Sequence, residues 1–110
     1  MEDRTLLRVL IAGPHCNSRG SAHGGLIAAL ADQAMGVSCG VRLRFEDIAV
    51  TNLWTTSLTI DYLGSAKAGQ WLEIDSHFCK TGRTLCYAEA DITADGETVA
   101  RARASFRVAH

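Results

Sequence analysis

The sequence predicts an α+β fold, with one long buried helix set against an antiparallel sheet of about five strands. Three observations carry this. Residues 23–36 (HGGLIAALADQAMG) open on two glycines and continue as a dense apolar run, in which Asp32 is the only formal charge between Gly24 and Val41. The apolar residues recur on every side of a helical wheel rather than along one stripe, the pattern of a helix covered all round. From Ala49 onward the period shifts to the two-residue alternation of strands, and glycine-bearing turns divide that half into hairpin-length segments.

Taken in order, residues 5–12 (TLLRVLIA) are apolar and branched enough for a first strand. Residues 13–22 (GPHCNSRGSA) hold the only proline and two glycines, and form a loop. The helix begins near His23 or Gly24 and is expected to end near Gly40, a C-terminal glycine cap. Residues 41–48 (VRLRFEDI) read as an exposed charged connection. A long strand then runs to about Leu63, with Val50, Asn52, Trp54, Thr56, Leu58, Ile60 and Tyr62 on one side of a single alternation. Residues 64–69 turn the chain. Residues 70–80 alternate Trp71, Glu73, Asp75 and His77 against Leu72, Ile74, Ser76 and Phe78. Thr81-Gly82-Arg83 and Asp95-Gly96-Glu97 are hairpin signals on either side of a strand over 84–94, and residues 98–108 close the sheet. No internal repeat, linker or low-complexity segment interrupts a single domain over residues 1–110.

A helix apolar on all sides needs cover on all sides, and one sheet supplies one. A small open sheet also leaves edges that seek pairing. Both arguments predict a homodimer.

Composition narrows the function. Hydrophobic residues are 47% and charged residues 21%, a soluble globular balance. A net charge of -1 leaves no surplus of Lys and Arg to neutralise phosphates, which excludes a nucleic-acid partner. No uninterrupted apolar run approaches the ~20 residues of a membrane span, so no membrane role is expected. Residues 1–4 are mixed-charge and precede no signal-type apolar segment. The four cysteines (Cys16, Cys39, Cys79, Cys86) lack paired spacing, and are read as free thiols in a reducing cytoplasm. Cys79 and Cys86 could oppose each other across a hairpin, but the favoured reading is two small buried or strand-facing residues.

The run His15-Cys16-Asn17-Ser18-Arg19-Gly20-Ser21-Ala22-His23-Gly24-Gly25, with Asp32 in the helix that follows, resembles the hotdog-fold acyl-CoA thioesterases of the PaaI type, a group that includes the thioesterase superfamily member 2 proteins. Residues 60–69 (IDYLGSAKAG) are similar to the family's strand and turn, and residues 80–84 (KTGRT) to its hairpin. The resemblance spans roughly residues 13–108. It implies a helix wrapped by a curved antiparallel sheet, dimerised through the sheet and often doubled to a homotetramer. It also implies hydrolysis of an acyl-CoA thioester with no metal or organic cofactor. Two departures stand out: only 22 residues precede His23, and the turn that often holds proline reads Gly64-Ser65-Ala66.

Thioester hydrolysis needs a polarised carbonyl, an activated water and a place for CoA. Gly24 and Gly25 at a helix start offer backbone N–H groups and the positive end of the helix dipole to a developing oxyanion. Asp32 can act as general base towards water or as a nucleophile forming an anhydride; the plainer alternative is a core carboxylate satisfied by neighbouring hydroxyls. Eight residues of helix at ~1.5 Å per residue separate Gly24 from Asp32 by roughly 12 Å, too far for one carbonyl to touch both. If both act on one thioester, they come from different subunits.

The resemblance adds Asn17 as the residue holding the thioester or the attacking water, and His23 as the motif histidine. It places a Ser or Thr near the carboxylate, on the strand after the helix and in the subunit opposite the glycines. The match falls on Thr55, with Thr56 its neighbour on the other face. Lys67, Lys80 and Arg83 are candidates to meet the CoA phosphates. Two rivals are weaker: a Cys16–histidine nucleophile, and a metal held by His15, Cys16 and His23, which lacks a fourth ligand. A non-catalytic acyl-CoA-binding module and a dehydratase share the fold, which alone does not decide between them.

Overall fold

The computed structural model describes residues 5–110; the mixed-charge residues 1–4, read above for a secretory signal, lie outside the described residues. The elements are β1 (Thr5–Leu10), a 3₁₀ turn at Gly13–His15, α1 (Gly24–Phe45), β2 (Asn52–Tyr62), β3 (Trp71–Lys80), β4 (Leu85–Ala94) and β5 (Glu97–Ala109). The five strands form one antiparallel sheet in the order β1-β3-β4-β5-β2, and α1 packs across one face. This is the α+β class expected. The inner face is built from the alternating residues of β3, β4 and β5. Leu72, Ile74 and Ile92 fill it, and Ala88, Ala90, Ala102 and Ala104 let the helix come close.

α1 buries one stripe, Ile27, Ala31, Ala34, Met35, Ser38, Cys39 and Leu43. It is therefore not covered all round within one chain. The opposite flank mixes small residues such as Gly25, Ala29, Gly36 and Gly40 with Asp32 and Gln33, and Val37 there is 44% exposed. By length and composition α1 is apolar enough to cross a bilayer, yet its buried stripe packs on the sheet.

The helix also outruns the expected stop. Gly40 stays helical and the chain continues to Phe45, so much of the expected connection over 41–48 is helix. Arg42 and Arg44 occupy the last turn, where cations suit the negative end of the helix dipole. The Arg42 Nη1 donates to the Cys79 carbonyl at 2.8 Å. The stop is made by Asp47, left-handed at φ 57, with Asp47 N–H on Arg44 O and Ile48 N–H on Leu43 O, the Schellman pattern.

Two register shifts correct the alternations read from sequence. In β2 a bulge lies between Thr55 and Ser57, so Leu53 and Thr55 face the helix together with Leu58, Ile60 and Tyr62. In β3 a bulge between Asp75 and Phe78 turns Phe78 outward, where it meets Tyr87 edge-on at 6.2 Å, and turns Cys79 into the core. The Asp95-Gly96 hairpin holds both residues at positive φ (47 and 88), the two-residue turn suited to strand twist. β1 ends at Leu10, two residues before its expected limit.

All four cysteines are free. The sulfur nearest Cys79 belongs to Cys39 on α1, at 3.2 Å, while Cys79 pairs with Ala88 and Cys86 with Phe106. Cys79 and Cys86 are not directly opposed: the strand register sets Cys79 against Ala88, and both thiols lie on the buried face near Cys39.

Candidate active site

Asp32 lies on the flank of α1 that the sheet leaves open, half-buried rather than in the core. The Thr55 hydroxyl donates to its Oδ1 at 2.7 Å. The β2 bulge is what aims Thr55 at the helix, a common use of a bulge beside a functional site. Thr56, displaced by the same bulge, spends its hydroxyl on the Ser105 carbonyl at 3.2 Å. The carboxylate forms one wall of a cleft of about 330 Å³, whose other walls include Gly36, Val37, Val50, Leu53 and Phe106.

Gly24 and Gly25 open α1 behind the N-cap His23. The amides of Leu26 and Ile27 turn back to the His23 carbonyl at 3.1 and 3.2 Å. The Gly24 and Gly25 amides donate to no described group, leaving two unpaired N–H groups at the positive end of the helix. One residue not singled out from the sequence belongs here. Tyr62, at the end of β2, donates its hydroxyl to the Gly24 carbonyl at 2.6 Å. A Cβ at Gly24 would stand 3.2 Å from that ring, so the glycine makes room for the tyrosine. Local pattern gave no sign of this contact; only the strand register brings Tyr62 to the helix start.

Asn17 shapes the loop before the helix. Its Oδ1 accepts from the Arg19 and Ser21 amides at 2.9 and 3.2 Å, a turn-forming role, while its Nδ2 donates to no described group. His23 is exposed and makes no side-chain capping bond. Its own amide donates to the His15 carbonyl at 2.9 Å.

The three cations separate. Lys67 lies beside the helix-start loop, with Nζ 3.3 Å from the Ser21 hydroxyl and an isolated bridge to Ser21. Lys80 and Arg83 flank the β3–β4 hairpin near the other end of α1, where Thr81 hydrogen-bonds Glu46. All three side chains are exposed.

The cysteine–histidine rival finds no geometry. His15 Nδ1 accepts from the Ala12 amide at 2.9 Å, and Cys16 Sγ points to the Ala12 carbonyl at 3.5 Å. The Cys79 thiol beside Cys39, and then burial, push the Cys39 thiol up, which keeps it protonated. Among the described residues, no group of three or more His, Cys, Asp or Glu stands together to hold a metal ion.

The helix start and the carboxylate do not meet within one chain, since a continuous helix keeps them roughly 12 Å apart. The unpaired amides of the helix start and the Asp32–Thr55 pair therefore stand at two separate places on one chain.

Residues 19–101 match the model of the thioesterase superfamily. Acyl-coenzyme A thioesterase 13 of Mus musculus is 30% identical over 105 residues, covering 92% of this chain and 70% of that protein. The structure of smu.793 from Streptococcus mutans bound to acetyl CoA superposes with a TM-score of 0.85 at 27% identity, covering 98% of this chain and 82% of that one. The Escherichia coli PaaI protein reaches the same TM-score at 22% identity, covering 99% and 75%, a likeness of fold.

Proposed function

The chain belongs to the thioesterase superfamily and is on that ground a thioester hydrolase; we propose that its substrate is an acyl-CoA, cleaved to free acid and CoA at a site shared by two protomers. The observation that carries this reading is the Thr55–Asp32 hydrogen bond at a cleft wall, apart from an unpaired helix start on the same chain. The acyl-CoA substrate is supported by the relative named for that activity and by the structural neighbour that holds acetyl CoA.

In the proposed mechanism the thioester carbonyl oxygen lies against the Gly24 and Gly25 amides of one protomer. These donate more strongly as charge builds on that oxygen. The Asn17 Nδ2, left over by its own loop, adds a donor. Asp32 of the partner subunit takes a proton from water as the water oxygen bonds to the carbonyl carbon. Thr55 holds one carboxylate oxygen and leaves the other for that water. Collapse of the tetrahedral intermediate breaks the C–S bond, and the CoA sulfur leaves and takes the proton. Of the three cations, Lys67, beside the helix-start loop, is proposed to meet the CoA phosphates; Lys80 and Arg83 stand apart from it, near the other end of α1.

Self-association is supported by the edge position of β2, where Trp54 is 52% and Tyr62 51% exposed, and by the open flank of α1. Pairing two such edges lets the helix start of each protomer serve the carboxylate of the other. The four free thiols fit a reducing compartment such as the cytoplasm.

Thiol release from a panel of acyl-CoAs tests the reading. Asp32→Asn is expected to remain folded and to lose about 10²–10⁴-fold in turnover, the scale of a positioned base. A wild-type chain that binds acyl-CoA without cleaving it would instead make this a binding module.

A further inference from the structure

The start of α1 is held from outside the helix, and the hold runs through His15. Ile11 is buried; its amide donates to the Gln70 carbonyl at 3.0 Å and its carbonyl accepts from the Gly69 amide at 2.8 Å. The chain is thus fixed at that point to the core and to the connection between β2 and β3. From Ala12 it turns through Gly13–His15 and enters a short hairpin. The arms of the hairpin pair Cys16 with Ala22. Its tip is closed by the Asn17 amide on the Ser21 carbonyl at 2.8 Å, and its base by the His23 amide on the His15 carbonyl at 2.9 Å. One arm carries Asn17; the other runs into His23, the N-cap of α1, and so into Gly24 and Gly25. Residue 15 therefore joins a turn anchored on the core to the hairpin that sets every donor assigned to the thioester carbonyl.

The half-buried His15 ring closes that turn. Its Nδ1 accepts from the Ala12 amide at 2.9 Å, while the His15 amide donates to the Ala12 carbonyl at 3.0 Å. A backbone N–H only donates, so Nδ1 presents its lone pair and the ring proton sits on Nε2. The ring does for this turn what Glu or Gln does in a capping box. The Cys16 thiol also points back, to the Ala12 carbonyl at 3.5 Å, but a thiol is a weak donor.

We propose that His15 is a positioning residue for thioester cleavage. Its Nδ1 bond fixes the turn that aims the hairpin, and through it the Gly24 and Gly25 amides and the Asn17 Nδ2. This rests on the thioesterase reading and adds to it a side chain that touches neither thioester nor water. Ala12 is exposed, so water replaces the bond when the ring is lost. Stability then changes little, but water imposes no direction on the turn. The cost falls on the reaction.

The experiment compares His15→Ala, His15→Asn and His15→Gln with the wild type, by thiol release from an acyl-CoA and by urea denaturation. Asn places an amide oxygen where Nδ1 stands and keeps the acceptor, Gln carries its amide one bond further out, and Ala has none. Ala and Gln should lower kcat by about tenfold to a hundredfold with KM nearly unchanged, the scale of a misplaced reacting group. Asn should recover most of that loss, and all three should unfold near the wild-type urea midpoint. If the alanine variant does not fold, the contrast between Asn and Gln decides. An unchanged kcat in His15→Ala, rescue by Gln equal to that by Asn, or losses that track the urea midpoint would overturn the proposal while leaving the thioesterase reading intact. A wild-type chain that cleaves no acyl-CoA removes both.

Discussion

Tyr62 and Gly24 are locked together: the tyrosine hydroxyl donates to the glycine carbonyl at 2.6 Å, and the ring fills the space a side chain at position 24 would need. The contact ties the end of edge strand β2 to the first turn of α1. In the proposed mechanism it fixes the peptide unit that presents the Gly25 amide to the thioester, next to that of Gly24. Tyr62 is thus a positioning residue.

Tyr62→Phe keeps the ring and removes the bond. We expect kcat to fall by about tenfold to a hundredfold with KM nearly unchanged, as for a small misplacement of a reacting group. Gly24→Ala should lose at least as much, because its Cβ starts 3.2 Å from the ring. Steady-state kinetics beside a denaturation curve separate the roles: lower stability with intact kcat would make the bond structural only.

Thr55→Ala should lower kcat by about tenfold or more, by releasing the carboxylate that its hydroxyl holds. Thr55→Ser retains the donor and should recover most of the loss. Steady-state kinetics of both variants, beside a denaturation curve, are the informative readout. Failure of serine to rescue would move Thr55 out of the site.

The core thiols give a stability prediction. Below the ordinary thiol pKa of ~8.5, folded and unfolded chains both hold the Cys39 proton, and pH has no leverage through this group. Above it the unfolded chain releases the proton while the folded chain, raised by Cys79 and burial, retains it. Stability therefore falls as pH rises, with a slope of up to about 1.4 kcal/mol per pH unit from this thiol. Urea denaturation at pH 8, 9 and 10 should show a steeper decline for the wild type than for Cys39→Ala. Equal slopes would contradict the assignment.

What the sequence disclosed and what it hid divide along physical lines. The strand periods, the hairpin at Asp95-Gly96 and the apolar helix are local signals, and the fold class followed from them. Asp32 stood out because a carboxylate in an apolar helix is costly without a use. The bulges at Thr55 and Phe78 were not legible, since a one-residue slip leaves composition untouched while exchanging faces. The helix stop was misplaced because Gly40 looked like a cap, whereas Asp47 supplies the left-handed residue. Tyr62 escaped notice because its partner lies thirty-eight positions away, at the far end of the helix from the connection leading into its strand. Small residues made the flank of α1 read as core, when their smallness leaves the cleft beside Asp32 open.

The claim on which the account turns is that the Gly24 amide and the Asp32 carboxylate serving one thioester belong to different protomers. Its most direct test mixes two inactive chains, Asp32→Asn and Gly24→Val, unfolded together and refolded at equal concentration. In a two-fold dimer, half the assemblies become mixed and each carries one intact site, so the mixture should regain about a quarter of wild-type thiol release. A mixture no more active than its parents, with mixed dimers verified by mass, would contradict the shared site.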